Sequence, residues 1–324
     1  MQKLIFSLVI IVTGLLFGYI GQKLVRKTGY IHENSILFVR KFLQKLGMLF
    51  FMPVSFVAAV WVISFEDIRV AFLPLIGAGT LLLGGGLGLI AASFTKNGEK
   101  YKAEFFCCGS FTNLGSIGAL VAFLFLGEVG FGLVALYMLF EQTVYYTICL
   151  PIIKYISGGK NDETFLERII GISKDPFVRA AIVALTCGLF LNVSDISRPL
   201  FFENIIGFFV PVGTFILLVS IGLGMRFSSV SNYIVEGLVV SLVKFIAVPF
   251  LSVTIAYLFG FGSINDGLPL KVVLIASSMP IAFVGLVVAS VYDLDLDLVN
   301  SCWLITTGAL VIVVPWLYFL LTIM

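Results

Sequence analysis

The chain predicts an all-α polytopic membrane protein with ten transmembrane helices, arranged as two inverted five-helix repeats whose fourth and ninth helices are broken and cross. Three observations carry that prediction. Of the residues, 60% are hydrophobic and only 12% charged, and the mean hydropathy is +1.13, well outside the range of a soluble domain. The basic residues sort to alternate sides of the apolar segments. Two apolar stretches are interrupted near their middle, at Cys108-Gly-Ser-Phe-Thr-Asn-Leu-Gly-Ser-Ile-Gly118 and at Ala276-Ser-Ser-Met-Pro-Ile-Ala-Phe-Val-Gly285.

The expected spans lie near residues 4–22, 38–63, 70–94, 104–126, 131–156, 177–193, 205–225, 233–259, 270–291 and 297–322. Each is long enough to cross a hydrocarbon layer of roughly 30 Å as a helix. The first has one Lys before it, several basic residues after it and no small-residue cleavage pattern, so it reads as a permanent span and not a signal peptide. In the third, Gly77-Ala-Gly79 and Gly84-Gly-Gly86-Leu-Gly88 lack the Lys-Ser/Thr pair of a phosphate loop and read as a close-packed helix face. Residues 1–157 form the first repeat, 158–175 a cytoplasmic linker containing Gly158-Gly-Lys-Asn-Asp-Glu163, and 176–324 the second repeat.

Orientation follows from lysine and arginine, which resist translocation. Most of the 20 basic residues flank the loops after odd-numbered spans, among them Lys23, Arg26, Lys27, Arg40, Lys41, Lys45, Lys96, Lys100, Lys102, Lys154 and Arg168. Both termini are therefore expected outside. An odd number of spans per half turns the second half upside down relative to the first. At an offset of 167 positions Asn113 meets Pro280, Gly118 meets Gly285, Ala122 meets Ala289, Phe125 meets Tyr292 and Glu128 meets Asp295.

The breaks are the candidate site, because backbone groups freed at bilayer depth survive only where protein, water or a ligand satisfies them. Thr112, Asn113 and Gly115 in the first break, with Ser277, Ser278 and Pro280 in the second, are the expected substrate-binding residues. Two half-helix N-termini meeting at one spot favour an anion, and Asn and Ser supply hydrogen-bond donors. Close helix packing at the glycines is the competing reading. Glu141 and Lys244 are ionisable residues placed inside spans, where a charge at the centre costs about 2.5–3.5 kcal/mol on insertion scales. Glu141 is open to two roles, as a proton-carrying carboxylate or as the partner of Lys244. Lys244 in turn is open to pairing with it or to contacting an anionic substrate. Gln142 and Tyr145 are supporting polar residues beside them.

Other features point to no chemistry. Cys107, Cys108, Cys149, Cys187 and Cys302 all fall inside spans, with neither disulfide nor zinc spacing. His32 sits in a basic loop, and Asp293, Asp295 and Asp297 read as a solvated acidic cluster. No nucleophile elbow, histidine metal motif or nucleotide fingerprint occurs, so no enzyme activity, cofactor or metal is expected. The net charge of +2 says nothing about partners, and no nucleic-acid partner is expected.

The pattern resembles the auxin efflux carrier family of PIN-like transporters along essentially the whole chain. The resemblance is carried by Gly18-Tyr-Ile-Gly-Gln-Lys-Leu24, by Met52-Pro53-Val54, and by Asn113, Gly115 and Gly118 with Gly127-Glu128. Ser220-Ile-Gly-Leu-Gly224, Met279-Pro280, Ala289 and Tyr292-Asp-Leu-Asp295 extend it. Where that family has Asn-Thr-Gly and a later Ile-Pro, this chain has Asn113-Leu114-Gly115 and Ala119-Leu120. The resemblance implies a bile-acid-symporter-like fold, with spans one, two, six and seven as scaffold and three to five and eight to ten as a moving transport domain. It also implies a homodimeric elevator for small organic anions in the plasma membrane or bacterial inner membrane, proton-coupled or uncoupled, with Asn113 and Pro280 marking the place of the substrate carboxylate. The alternatives are a sodium-coupled bile-acid-type symporter, whose acidic residue near the ninth-span break has no counterpart between Ala276 and Ala289, and a membrane ligand sensor that moves nothing.

Overall fold

The computed structural model describes residues 1–28, 33–63, 67–95, 100–158, 165–194 and 196–324. His32 and the centre of the expected linker, 159–164, lie outside them. Among the described residues the chain is helical, and its only extended pairing is a single antiparallel bridge. The helices are α1 (Gln2–Thr28), α2 (Glu33–Leu46), α3 (Met52–Val60), α4 (Leu73–Ala92), α5 (Lys102–Ser110), α6 (Ala119–Tyr137), α7 (Glu141–Val144), α8 (Leu150–Ile156) and α9 (Phe165–Lys174). They continue with α10 (Pro176–Val193), α11 (Phe201–Gly222), α12 (Ile234–Leu242), α13 (Val248–Leu258), α14 (Leu268–Ser277), α15 (Val284–Val291) and α16 (Leu296–Ile323). The expected linker thus contains a helix, α9.

Among the described residues eight runs are long and apolar enough to cross a membrane, against the ten read from the sequence: Gln2–Lys27, Ser35–Val60, Ile68–Ala92, Leu114–Ile156, Pro176–Val193, Phe201–Gly222, Val230–Leu258 and Leu296–Ile323. The physical reason for the difference lies in the breaks. At 1.5 Å per residue, the 10 residues of α14 or the 9 of α5 reach about half of a hydrocarbon layer. The run Leu114–Ile156 is 43 residues long and bends at Gly127, whose φ of 76° and ψ of −163° suit a residue without Cβ.

Three continuous runs pass through a widened π-helical turn, at Gly47–Phe51, Tyr145–Cys149 and Val243–Ala247. In each, a proline follows two residues beyond the turn, Pro53, Pro151 and Pro249. Proline has no N–H and clashes with the carbonyl four residues back, so the wider turn relieves the clash without ending the helix. Such turns concentrate at functional sites.

The contacts divide the chain into two compact units. The first holds α1 to α3, most of α10, α11 and residues 115–135. In it α1 and α11 pack backbone to backbone: a Cβ on Gly18 would come within 2.2 Å of the Val219 carbonyl oxygen, and one on Gly222 within 2.3 Å of the Leu15 carbonyl oxygen. The end of α3 is capped from outside, since Asn192 Nδ2 donates to the carbonyls of Val60, Trp61 and Ile63. Arg198 forms a two-pronged pair with Glu128, at 2.5 and 2.9 Å, and also donates to the Ala58 carbonyl. The second unit holds α4, α5, α7 to α9 and α12 to α16. In it the α4 glycine run allows close approach, because a Cβ on Gly84 would lie 2.3 Å from the Gly109 carbonyl oxygen and one on Gly88 2.3 Å from that of Phe105. This is helix packing, as the missing Lys-Ser/Thr pair predicts.

The acidic cluster is structural at its middle member. Asp295 caps α16 by accepting from the Leu298 N–H, takes a hydrogen bond from the Tyr233 hydroxyl, and donates its own N–H to Glu104. Among the described residues no group of three metal-ligating side chains assembles. The cysteines are free thiols, four buried and Cys187 exposed.

Two stability outcomes follow. Gly18→Leu forces apart the α1–α11 contact and should destabilise the protein by about 1–3 kcal/mol, the usual cost of overpacking, read as a lower Tm in detergent. Before α4, Asp67 accepts from the backbone N–H and guanidinium of Arg69, which holds its carboxyl down at about 2. A depressed carboxyl stabilises the fold above its ordinary value and loses that contribution as pH falls through the folded value. Asp67→Asn should therefore lower Tm slightly near pH 7, and the difference from wild type should close between about pH 4 and pH 2.

Candidate functional site

At the end of α5 the chain turns extended, with Phe111 at φ −76° and ψ 119°. The break after α14 brings Ile281 against Thr112 in the antiparallel bridge. The Asn113 N–H donates to the Pro280 carbonyl at 2.9 Å, and the Ala282 N–H to the Phe111 carbonyl at 3.1 Å. The Thr112 N–H donates to the Tyr145 hydroxyl at 2.9 Å, and the Ile281 N–H reaches Thr306 Oγ1 of α16 at 3.5 Å. Each break thus supplies the partners that the bilayer withholds from the other. The bridge thus pairs Asn113 with Pro280, the two residues that the 167-position offset superposes, and Phe111 with Ala282. The second break, running from Ser278 to Phe283, is longer than the first, from Phe111 to Asn113.

Ionisable and hydroxyl side chains converge on Thr112. Lys244, 1% exposed in the widened turn after α12, donates to Thr112 Oγ1 at 2.5 Å and to the Gly109 carbonyl at 3.3 Å. Tyr145, in the widened turn after α7, stacks on Phe111 with ring centroids 4.2 Å apart, and its hydroxyl interacts with the Glu141 carboxyl. No ion pair within 4.0 Å joins Glu141 to Lys244. The two are connected through Tyr145 and Thr112. Thr80 of α4 donates to Ser252 of α13 at 3.0 Å, and buried Tyr137 lies within reach of Thr80 and Glu141.

The structure places the residues singled out from sequence as follows. Thr112 and Asn113 are buried in the bridge with Pro280. Gly115 begins the next half-helix within the widened turn Leu114–Gly118. Ser278 is buried beside the second break, while the Ser277 hydroxyl donates to the Val273 and Leu274 carbonyls of its own helix. Gln142 is half-buried next to Glu141. Residues that the sequence reading passed over are Thr80, Tyr137, Ser252, Thr306 and the Gly109 carbonyl. The signal for the first four was an isolated hydroxyl in an otherwise apolar helix, which is too common to single out alone.

These features define a multi-pass α-helical membrane protein with two interrupted helices paired through their backbones. The chain is 24% identical over 165 residues to an uncharacterized transporter of Methanothermobacter thermautotrophicus, covering 51% of this chain and 50% of that protein. It is 30% identical over 107 residues to an uncharacterized transporter of Methanocaldococcus jannaschii, 33% of each. The chain spans about half the length of the first of these curated relatives and a third of the second. No family model matches it. The relatives support a transporter family in general and a transport role over a catalytic one.

Tyr145→Phe keeps the ring stack on Phe111 and deletes the acceptor of the Thr112 N–H. A buried donor left unmet costs about 1–3 kcal/mol, so the variant should show a lower Tm in detergent with unchanged expression.

Proposed function

We propose that the protein is a secondary transporter of small organic anions, with the carboxylate held where the two interrupted helices pair. The observation that carries this reading is the reciprocal backbone pairing of Asn113 with Pro280 and of Phe111 with Ala282, which leaves the half-helices beginning at Leu114 and Val284 with N-termini beside the break. Backbone N–H groups and positive dipole ends at such termini suit an anion, and interrupted helices in two halves of a chain are the usual build of a transporter binding site. The relatives named as transporters support the same class. In this reading the two broken helices count as spans four and nine, giving ten spans in two inverted repeats with both termini outside. Spans one, two, six and seven are the scaffold of an elevator and spans three to five and eight to ten its moving body, and the carrier works as a homodimer in the cell membrane. Thr112, Asn113, Gly115, Ser278 and Pro280 line the substrate site.

Charge movement in proteoliposomes on a solid-supported membrane, with a panel of mono-, di- and aromatic carboxylates, tests the proposal. A saturable current for particular carboxylates supports a carrier, and a sodium requirement would turn the reading to a sodium symporter. Binding without flux under any gradient would make the protein a sensor. Asn113→Ala should lower the transport rate at least tenfold at equal membrane abundance, because it removes the side-chain amide from the site while leaving the N–H to Pro280 in place.

A further inference from the structure

Lys244 forms no close ion pair with a described acid. Its ammonium is buried and donates to one carbonyl and one hydroxyl, and among the described residues no carboxylate lies within ion-pair distance of it. The carbonyl belongs to Gly109, in the last turn of α5. The final carbonyls of a helix lack intrahelical partners and form the negative end of its dipole. A carbonyl oxygen and a hydroxyl oxygen at a helix C-terminus are the donor set that a hard metal cation would seek. Here a side-chain nitrogen occupies that place.

We propose that Lys244 is the coupling group of this carrier: its ammonium stands in for an external metal cation, so a proton travels with the carboxylate. The proposal rests on the reading of the chain as a carboxylate carrier. A charge at membrane depth without a close counter-charge is costly. An arriving carboxylate brings the missing counter-charge, and proton and anion each raise the other's affinity by the same factor. On the loading side the amine lone pair takes a proton from water. On the release side the substrate departs and the ammonium returns that proton to water, so one N–H bond forms and later breaks and nothing is oxidised or reduced. A monocarboxylate then moves without net charge, and a dicarboxylate dianion carries one negative charge.

The titratable groups that face Lys244 are the Cys108 thiol from α5 and the Glu141 carboxyl from α7. Helix α4, packed against the widened turn, has no titratable residue along its length, and the flanking helices α12 and α13 contribute Glu236 and Tyr257. Glu141 lies beyond ion-pair distance of the lysine and is linked to it through Tyr145 and Thr112, which makes it a tuning group and Lys244 the proton carrier.

Proteoliposomes holding wild type, Lys244→Arg, Lys244→Gln or Glu141→Gln, assayed with radiolabelled succinate, test the assignment. The three readouts are accumulation under an acid-outside gradient, succinate–succinate exchange, and uptake with sodium replaced by choline. Arginine keeps the charge and cannot release its proton. Lys244→Arg should therefore retain exchange while losing accumulation at least tenfold, Lys244→Gln should lose both, and Glu141→Gln should still accumulate. Wild type should be indifferent to choline, and its KM for succinate should rise with pH between 5 and 9. Accumulation by Lys244→Arg at the wild-type level, loss of wild-type uptake in choline, or a pH-independent KM each overturns the proposal, and the last two need no variant to fold. If acetate, benzoate and succinate all fail to move in the wild type, the carrier reading itself falls, and the coupling assignment with it.

Discussion

Everything in the second unit depends on how two lengths of non-helical backbone survive in an apolar surrounding. An amide or carbonyl without a partner at bilayer depth costs several kcal/mol, and the breaks at Thr112 and Ile281 expose several at once. The solution is reciprocal. The Asn113 N–H finds the Pro280 carbonyl, the Ala282 N–H finds the Phe111 carbonyl, and the groups left over turn to the hydroxyls of Tyr145 and Thr306. Neither break could exist without the other, so the pairing fixes the fold locally and concentrates helix ends and polar side chains in one place.

The side chains around the pairing are positioned by similar local compromises. Lys244 and Tyr145 both sit in helical turns widened ahead of a proline. A regular turn there would rotate each side chain by a fraction of a turn relative to Thr112. The Gly109 carbonyl that receives Lys244 is itself backed by Gly84, with no room for a Cβ between the helices. Glycine in α4, proline in α13 and threonine in the break thus act together on one ammonium, although they are far apart in the chain.

In the first unit polar side chains close helix ends. Arg198 meets Glu128 in a bidentate pair next to the bend at Gly127, and Asn192 takes three carbonyls at the end of α3. Asp295 plays the matching capping part in the second unit. The sequence offset laid Glu128 over Asp295. Both prove to be acids that fasten a helix end, one to an arginine and the other to a backbone N–H and a tyrosine.

Composition and periodicity were enough to determine the membrane-helical class, the positions of the two interruptions, the packing role of the α4 glycines and the concentration of polar residues at Thr112 and Asn113. Those properties follow from hydrophobic transfer and from what glycine and proline do to a backbone, both of which are local. The tertiary structure alone decided the antiparallel backbone pairing of the two breaks, the inward turn of the Ser277 hydroxyl onto its own helix, and the recruitment of Thr80, Ser252 and Thr306. It also decided that Lys244 reaches a helix C-terminus and a threonine, and meets Glu141 only through intermediaries. Several of these relations join residues more than a hundred positions apart, and they turn on a fraction of a helical turn, which no one-dimensional pattern of apolar and polar residues encodes.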